Sequence, residues 1–266
     1  MTADIAAQPS GNDVDDIVPT GGCGRVTYLG HSTTVIEVDG VRLLTDPVLR
    51  RRVAHLWRTS PVLDPGEVDA VLISHGHHDH LDLRSLARLP RELPVILARG
   101  LGQLLQRRGF SNVTEVEAGD ETPVGDVVIR TTRADHAGRP SPGRAALTVA
   151  FAVLGSRRVF FAGDTDVFAE MEGLVDDLDL ALLPIWGWGA KIGPGHMDPE
   201  RAAEALALLR PKAAVPIHWG TLRPLYRSTR ARFLHDPPHA FVAAARRLAP
   251  EVAVQVLPPG GRLDLR

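Results

Sequence analysis

From Arg25 the chain alternates apolar and polar positions in short runs, "RVTYLG", "TTVIEV" and "VRLLTD", with a turn at Asp39-Gly40 between the last two. Period-two alternation broken by tight turns predicts a meander of antiparallel strands. The next segment, residues 48 to 66, breaks the pattern with Arg50, Arg51, Arg52, His55, Trp57 and Arg58 and ends in turn formers, so an exposed irregular loop is expected. The continuous apolar run "AVLISH" reads as a buried strand. Helical and strand patterns then alternate: helical "LRSLARL", strand "PVILAR", helical "GLGQLLQRR", strand "NVTEVEA". Further on come the strand "DVVIRTT", a hairpin in "ALTVAFAVLGSRRVFFAGD" turning near Gly155-Ser156, helical "VFAEMEGLV" and the strand "LALLPI". "DPERAAEALALLR" predicts a helix with Asp198 as its N-cap and Pro199 in its first position, and "DPPHAFVAAARRLA" one starting the same way at Asp236. The strand "AAVPIH" lies between them, and "VAVQVL" with "GRLDLR" reads as a closing strand pair. With no polar linker, the pattern predicts one α/β domain over residues 24–266, built of two sheets covered by helices.

Composition narrows the chemistry. The 266 residues are 44% hydrophobic, enough for a substantial core, and 30 basic against 32 acidic residues leave a formal charge of −2. No global positive field argues for nucleic acid or an anionic membrane. A single cysteine, Cys23, excludes an intrachain disulfide and any cysteine-rich zinc module, so a metal site would have to use histidine and carboxylate. Residues 1–23 are acidic and rich in small residues, without the charged and apolar regions of a secretory signal, and read as a flexible tail. No apolar run reaches the roughly 18 residues a membrane span needs, so a cytoplasmic protein without stable membrane insertion is expected.

The candidate chemistry is concentrated in "ISHGHHDHLD", four histidines and two aspartates straight after a buried strand. In extended backbone i and i+2 share a side, so His75 and His77 can address one metal while Asp79 and His80, beyond the bend, address a second. His78 takes the remaining position and is expected to be exposed or to pack behind the ligands, not to ligate. Two cations about 3.5–4 Å apart need further ligands and a bridging carboxylate. Candidates at strand ends are His136 after "VVIRTTRAD", Asp164 after "RVFFAG" and His218 after "AAVPI".

His75-Gly76-His77-His78-Asp79-His80, then His136, "AGDTD" and "VPIHWGT" in order, with an upstream "TDP", resemble the metallo-β-lactamase-fold hydrolases over nearly the whole chain after the tail. The resemblance implies a four-layer αββα sandwich with metals where strand ends meet. Carried over, His75, His77 and His136 would hold one metal and Asp79, His80 and His218 the other, with Asp164 bridging. Two divalent ions are implied, zinc by default, with manganese or iron also suited to such donors. They would act through a metal-bound hydroxide that Asp79 keeps oriented. Asp46 either caps a turn with Pro47 or accepts an N–H from a ligand histidine.

Gly30-His31 after the first strand, and His196-Met197-Asp198-Pro199 before a helix, resemble the branch containing L-ascorbate-6-phosphate lactonase and N-acyl-phosphatidylethanolamine phospholipase D. His31 and His196 either support loops or face the substrate as catalytic groups. The reaction implied is hydrolysis of an ester, lactone or phosphodiester in a small or amphiphilic anionic molecule. Arg58 and Arg139 are candidates for an anionic group, Trp186 and Trp188 for a pocket wall. Iron-dependent oxidation on the same fold, or RNA processing, are the alternatives. A small-molecule substrate is the expected partner, without nucleic acid, and a homo-oligomer is compatible with the sequence.

Overall fold

The computed structural model describes residues 24–136 and 147–266. The tail and Cys23, and Arg139 with Arg144, lie outside the described residues.

The expected meander is β1 (Gly24–Gly30), β2 (Thr33–Val38) and β3 (Val41–Thr45), each antiparallel to the next. After short β4 (Arg52–Val53) and β5 (Leu56–Arg58), the chain adds β6 (Ala70–Ile73), α1 (Leu83–Leu86), β7 (Val95–Ala98), α2 (Gly102–Gln106) and β8 (Val113–Val116). β6, β7 and β8 extend the sheet in parallel from β3. A second sheet begins with the antiparallel strands β9 (Glu121–Val124), β10 (Val127–Arg133), β11 (Val149–Leu154) and β12 (Arg158–Phe161). It continues in parallel through β13 (Leu180–Pro184), then α3 (Pro199–Leu209) and β14 (Ala213–Ile217). β15 (Leu222–Pro224) joins β4 and β5 in a small third sheet; α4 (Asp236–Leu248), β16 (Ala253–Val254) and β17 (Arg262–Leu265) complete the chain. Each large sheet has seven strands, half meander and half parallel.

Alternation along the second sheet assigns its two faces. Phe161, Leu182 and Val215 pack with Val26, Ile36 and Leu72 of the first sheet in one core. Their neighbours Phe160, Ala181 and Ala214 face the other way, under Leu206 of α3 and Phe241 of α4. Alanines on that face let the helices lie close, while the bulky residues fill the space between sheets. Buried Leu86 of α1 and Leu105 of α2 cover the first sheet, completing the αββα layering.

Four expectations are corrected. The segment after β3 is not an irregular loop, because β4 and β5 form a hairpin that pairs with β15 and buries Val48, Leu49, Val53 and Leu56. "VFAEMEGLV" makes only a 3₁₀ turn at Ala169–Met171. α4 begins at Asp236 itself, with no side-chain cap, whereas Asp198 caps α3 as expected by accepting from the Arg201 N–H at 2.9 Å. The last two strands do not pair: β16 lies beside β14 and β17 beside β1, in different sheets.

Candidate metal centre

β1, β3 and β6 of one sheet and β10, β12 and β14 of the other run in the same direction, so the segments that follow them meet at one edge of the sandwich. Those segments carry His31, Asp46, His75 to His80, His136, Asp164 and His218. The turns are tight. His31, Asp46 and His218 have φ of 58°, 34° and 60°, a left-handed conformation that aspartate and histidine tolerate better than bulkier residues. Gly163, at φ 59°, has no such choice: a Cβ there would stand 2.6 Å from the Cβ of Ser74, so only glycine lets β12 deliver Asp164 beside β6.

Two groups of potential ligand atoms result, one from His75, His77, His136 and Asp164, the other from His31, Asp79, His80 and His218. In the first, His77 Nδ1 lies 2.9 Å from His75 Nε2 and 3.3 Å from His136 Nε2. In the second, His80 Nε2 and His218 Nε2 are 3.1 Å apart, with Asp79 Oδ2 at 3.5 Å from His218 Nε2. Asp164 stands between the groups, Oδ2 at 3.7 Å from His75 Nε2 and 3.2 Å from His80 Nε2, and Oδ1 at 3.1 Å from His218 Nε2. Atoms about 2.0–2.1 Å from a tetrahedral zinc-class ion stand about 3.3 Å from one another, which is the spacing found.

The far side of each ring decides what these close approaches mean. His218 Nδ1 donates to the Trp186 carbonyl and His136 Nδ1 to the Gly195 carbonyl, both at 2.7 Å. His80 Nδ1 donates to Asp46 Oδ2 at 2.7 Å. Ser74 Oγ spends its single proton on Asp46 Oδ2 at 2.6 Å, so it accepts from His75 Nδ1 at 3.0 Å. With Nδ1 the proton-bearing nitrogen, the Nε2 lone pairs of all four rings point inward at one another and at buried Asp164, whose Oδ1 has no hydrogen-bond partner. Such a set lacks the hydrogens to satisfy itself and fits divalent cations.

The electrostatics agree. Burial alone would raise Asp164 and Asp79, yet neighbouring histidines, His218 and His80 foremost for Asp164 and His80 for Asp79, hold both well below the usual carboxylate range. Burial depresses His75 well below its ordinary value, lowers His77, and takes His136 down to about 4. His80 goes the other way: burial would lower it, but Asp164, Asp79 and Asp46 together raise it well above. The field at its Nε2 therefore favours positive charge.

The two remaining histidines part company. His31 is buried, donates from Nε2 to Asp79 Oδ2 at 2.9 Å and lies against the His218 ring at 4.0 Å; burial takes its pKa down to about 3, so it is neutral and braces Asp79. His196 sits at the mouth, its side chain 22% exposed, with Nδ1 near the Gly193 and Pro194 carbonyls and Nε2 at 3.3 Å from Asp164 Oδ2. His78 is exposed. Trp186 and Trp188 are half-buried on the loop following β13, where Trp188 meets His55 edge-on at 5.0 Å. Arg58 is corrected: its guanidinium turns inward onto the carbonyls of Leu29, Val48 and Pro61, and so serves the hairpin rather than a substrate anion. Sequence reasoning missed Ser74, although it adjoins His75, and missed the Trp186 and Gly195 carbonyls, since backbone acceptors carry no residue-type signal.

Residues 41–219 match the family described as Beta-lactamase superfamily domain. The chain belongs to the β-lactamase superfamily. Within it, the chain is 32% identical to a UPF0173 metal-dependent hydrolase of Rubrobacter xylanophilus, over 90% of this chain and 96% of that one. It is 30% identical to N-acyl-phosphatidylethanolamine-hydrolyzing phospholipase D 1 of Caenorhabditis elegans, over 73% of this chain and 63% of that one. Among solved structures it resembles Igni18, a metallo hydrolase of Ignicoccus hospitalis, with a TM-score of 0.72 at 26% identity, covering 92% of this chain and 99% of that one. As a superfamily member with these His/Asp groups, the protein is a metal-dependent hydrolase of metallo-β-lactamase fold.

Proposed function

We propose that the protein is a dinuclear hydrolase, with one cation held by His75, His77 and His136, a second by Asp79, His80 and His218, and Asp164 between them. The observation that carries this reading is the inward convergence of imidazole lone pairs on a buried, unsatisfied carboxylate. Zinc suits histidine with carboxylate best, with manganese or iron also matching these donors. Bound there, divalent cations supply Lewis acidity that activates water near neutral pH and polarises the scissile group.

The chain's own residues do the rest. Asp79, fixed by His31, orients the attacking water by accepting its hydrogen bond. His196 faces the open side of Asp164 and passes a proton from Nε2 to the leaving oxygen. Trp186 and Trp188 wall the mouth. The substrate is an ester, lactone or phosphodiester in a small or amphiphilic, anionic molecule; similarity to a phospholipase D supports the phosphodiester case. Action in the cytoplasm accords with a described structure in which no helix is long and apolar enough to cross a membrane.

The test is turnover of a chromogenic phosphodiester, lactone and ester by chelated protein reloaded with zinc, manganese or iron. Metal-dependent hydrolysis that is lost in Asp164→Ala is expected. Oxygen consumption by the iron form, with no hydrolysis by any form, would replace this reading with a redox one.

A further inference from the structure

Beside the metal centre is a cleft of about 620 Å³ for which the chemistry above has no use. Trp186, Pro199, Phe233, Pro237 and Ala240 supply its apolar walls. Two of those walls start at the centre itself. The Trp186 carbonyl holds His218 Nδ1, and Pro199 comes three residues after His196, whose Nε2 approaches Asp164. The volume falls in the range of small-molecule sites. Pro199 and Pro237 lie at the starts of α3 and α4, where their restricted φ makes the walls stiff before any ligand arrives.

Charges at the rim already have partners within the protein. Arg232 pairs with Asp236 at 2.7 Å, Glu200 with Arg247, Asp198 caps α3, and the Arg227 guanidinium lies over the Tyr226 ring. A cleft with apolar walls and rim charges that already have partners offers less to an ionic ligand than to uncharged hydrocarbon. In the segment leading to Arg227, which lines the cleft, Leu225 and Tyr226 are 62% and 78% exposed, the most exposed large hydrophobic residues among those described.

We propose that this cleft holds the uncharged hydrocarbon tail of the substrate, an unbranched acyl or alkyl chain, while the scissile group sits at the metal centre. The inference rests on the hydrolase reading above and narrows its substrate class to amphiphiles with a linear tail.

Two chromogenic series test it, p-nitrophenyl acetate, butyrate and octanoate, and the methyl, butyl and octyl p-nitrophenyl phosphates. kcat/KM is expected to rise roughly three- to fourfold per methylene, the factor for burying a CH₂ group. Ala240→Trp, at an exposed helix position facing the cleft, and Ala231→Trp, from another wall, should flatten that rise and leave the shortest substrate unaffected. A flat series in the wild type, or an unchanged rise in both variants, would overturn the inference. Fluorescence of the neutral dye N-phenyl-1-naphthylamine separates this failure from that of the hydrolase reading. If no member of either series is hydrolysed, dye binding that octanol displaces and both variants abolish upholds the apolar site. Absence of dye binding removes it.

Discussion

Nδ1 of His80 donates to Oδ2 of Asp46 across 2.7 Å, both side chains fully buried. The same carboxylate accepts from the Ser74 hydroxyl and, through Oδ1, from the Ser74 N–H at 2.8 Å, so one aspartate orients His80 directly and His75 through Ser74. Asp46→Asn keeps the side chain's shape and tolerates the φ of 34°, but places an amide where two hydrogens now converge on Oδ2 or loses an acceptor at Oδ1. Metal affinity should fall about 10- to 100-fold, read by competition with a chelating dye. Unchanged affinity would confine Asp46 to a structural role.

His31 contributes by position. Its Nε2–H restrains Asp79, and burial, which takes its pKa down to about 3, keeps the ring neutral so that it does not titrate near neutrality. His31→Asn, compatible with φ 58°, should lower kcat about 10- to 100-fold with KM little changed, and leave the acid limb of the pH–rate profile where it is. A displaced acid limb would make His31 a proton carrier.

Tyr28 lies under the same turn, its hydroxyl 3.4 Å from Thr221 Oγ1, which accepts the His31 N–H at 2.9 Å. Burial pushes the phenol up to about 12. A folded-state pKa above the unfolded value of about 10 means that this contribution is complete below pH 10 and is lost as pH rises through about 12. The difference is worth about 2–3 kcal/mol. Denaturant titrations of wild type and Tyr28→Phe should therefore converge in alkaline solution, with the wild type losing stability faster above about pH 10. Parallel pH dependence would contradict the assignment.

Arg58 ties three backbone carbonyls to the β4–β5 hairpin. Arg58→Met keeps the stem and removes the donors, and should cost about 1.5–3 kcal/mol in urea titrations without raising KM for an anionic substrate. A raised KM at unchanged stability would return Arg58 to the substrate.

The candidate ligands were legible because they come directly after apolar strands: "AVLI" before the cluster His75 to His80, "RVFF" before Asp164 and "AAVPI" before His218. Local pattern alone places such residues at strand ends, and the shared direction of those strands gathers them at one edge. The arginine-rich segment after β3 misled for the opposite reason. Its composition reads as solvated surface, yet Arg58 satisfies carbonyls contributed by residues up to 29 positions away, a pairing that no window of sequence displays. Pairing of β17 with β1, from opposite ends of the described chain, is equally non-local. The loop after β13 holds His218 and His136 through the carbonyls of Trp186 and Gly195, groups every residue possesses.

Metal content per chain, by elemental analysis of wild type, His136→Ala and His218→Ala, tests the central claim most directly. The geometry predicts about two divalent ions in the wild type and about one in each variant, since the two histidines belong to different groups. A single ion in the wild type, or loss of all metal from one variant and none from the other, would contradict a two-cation centre bridged by Asp164.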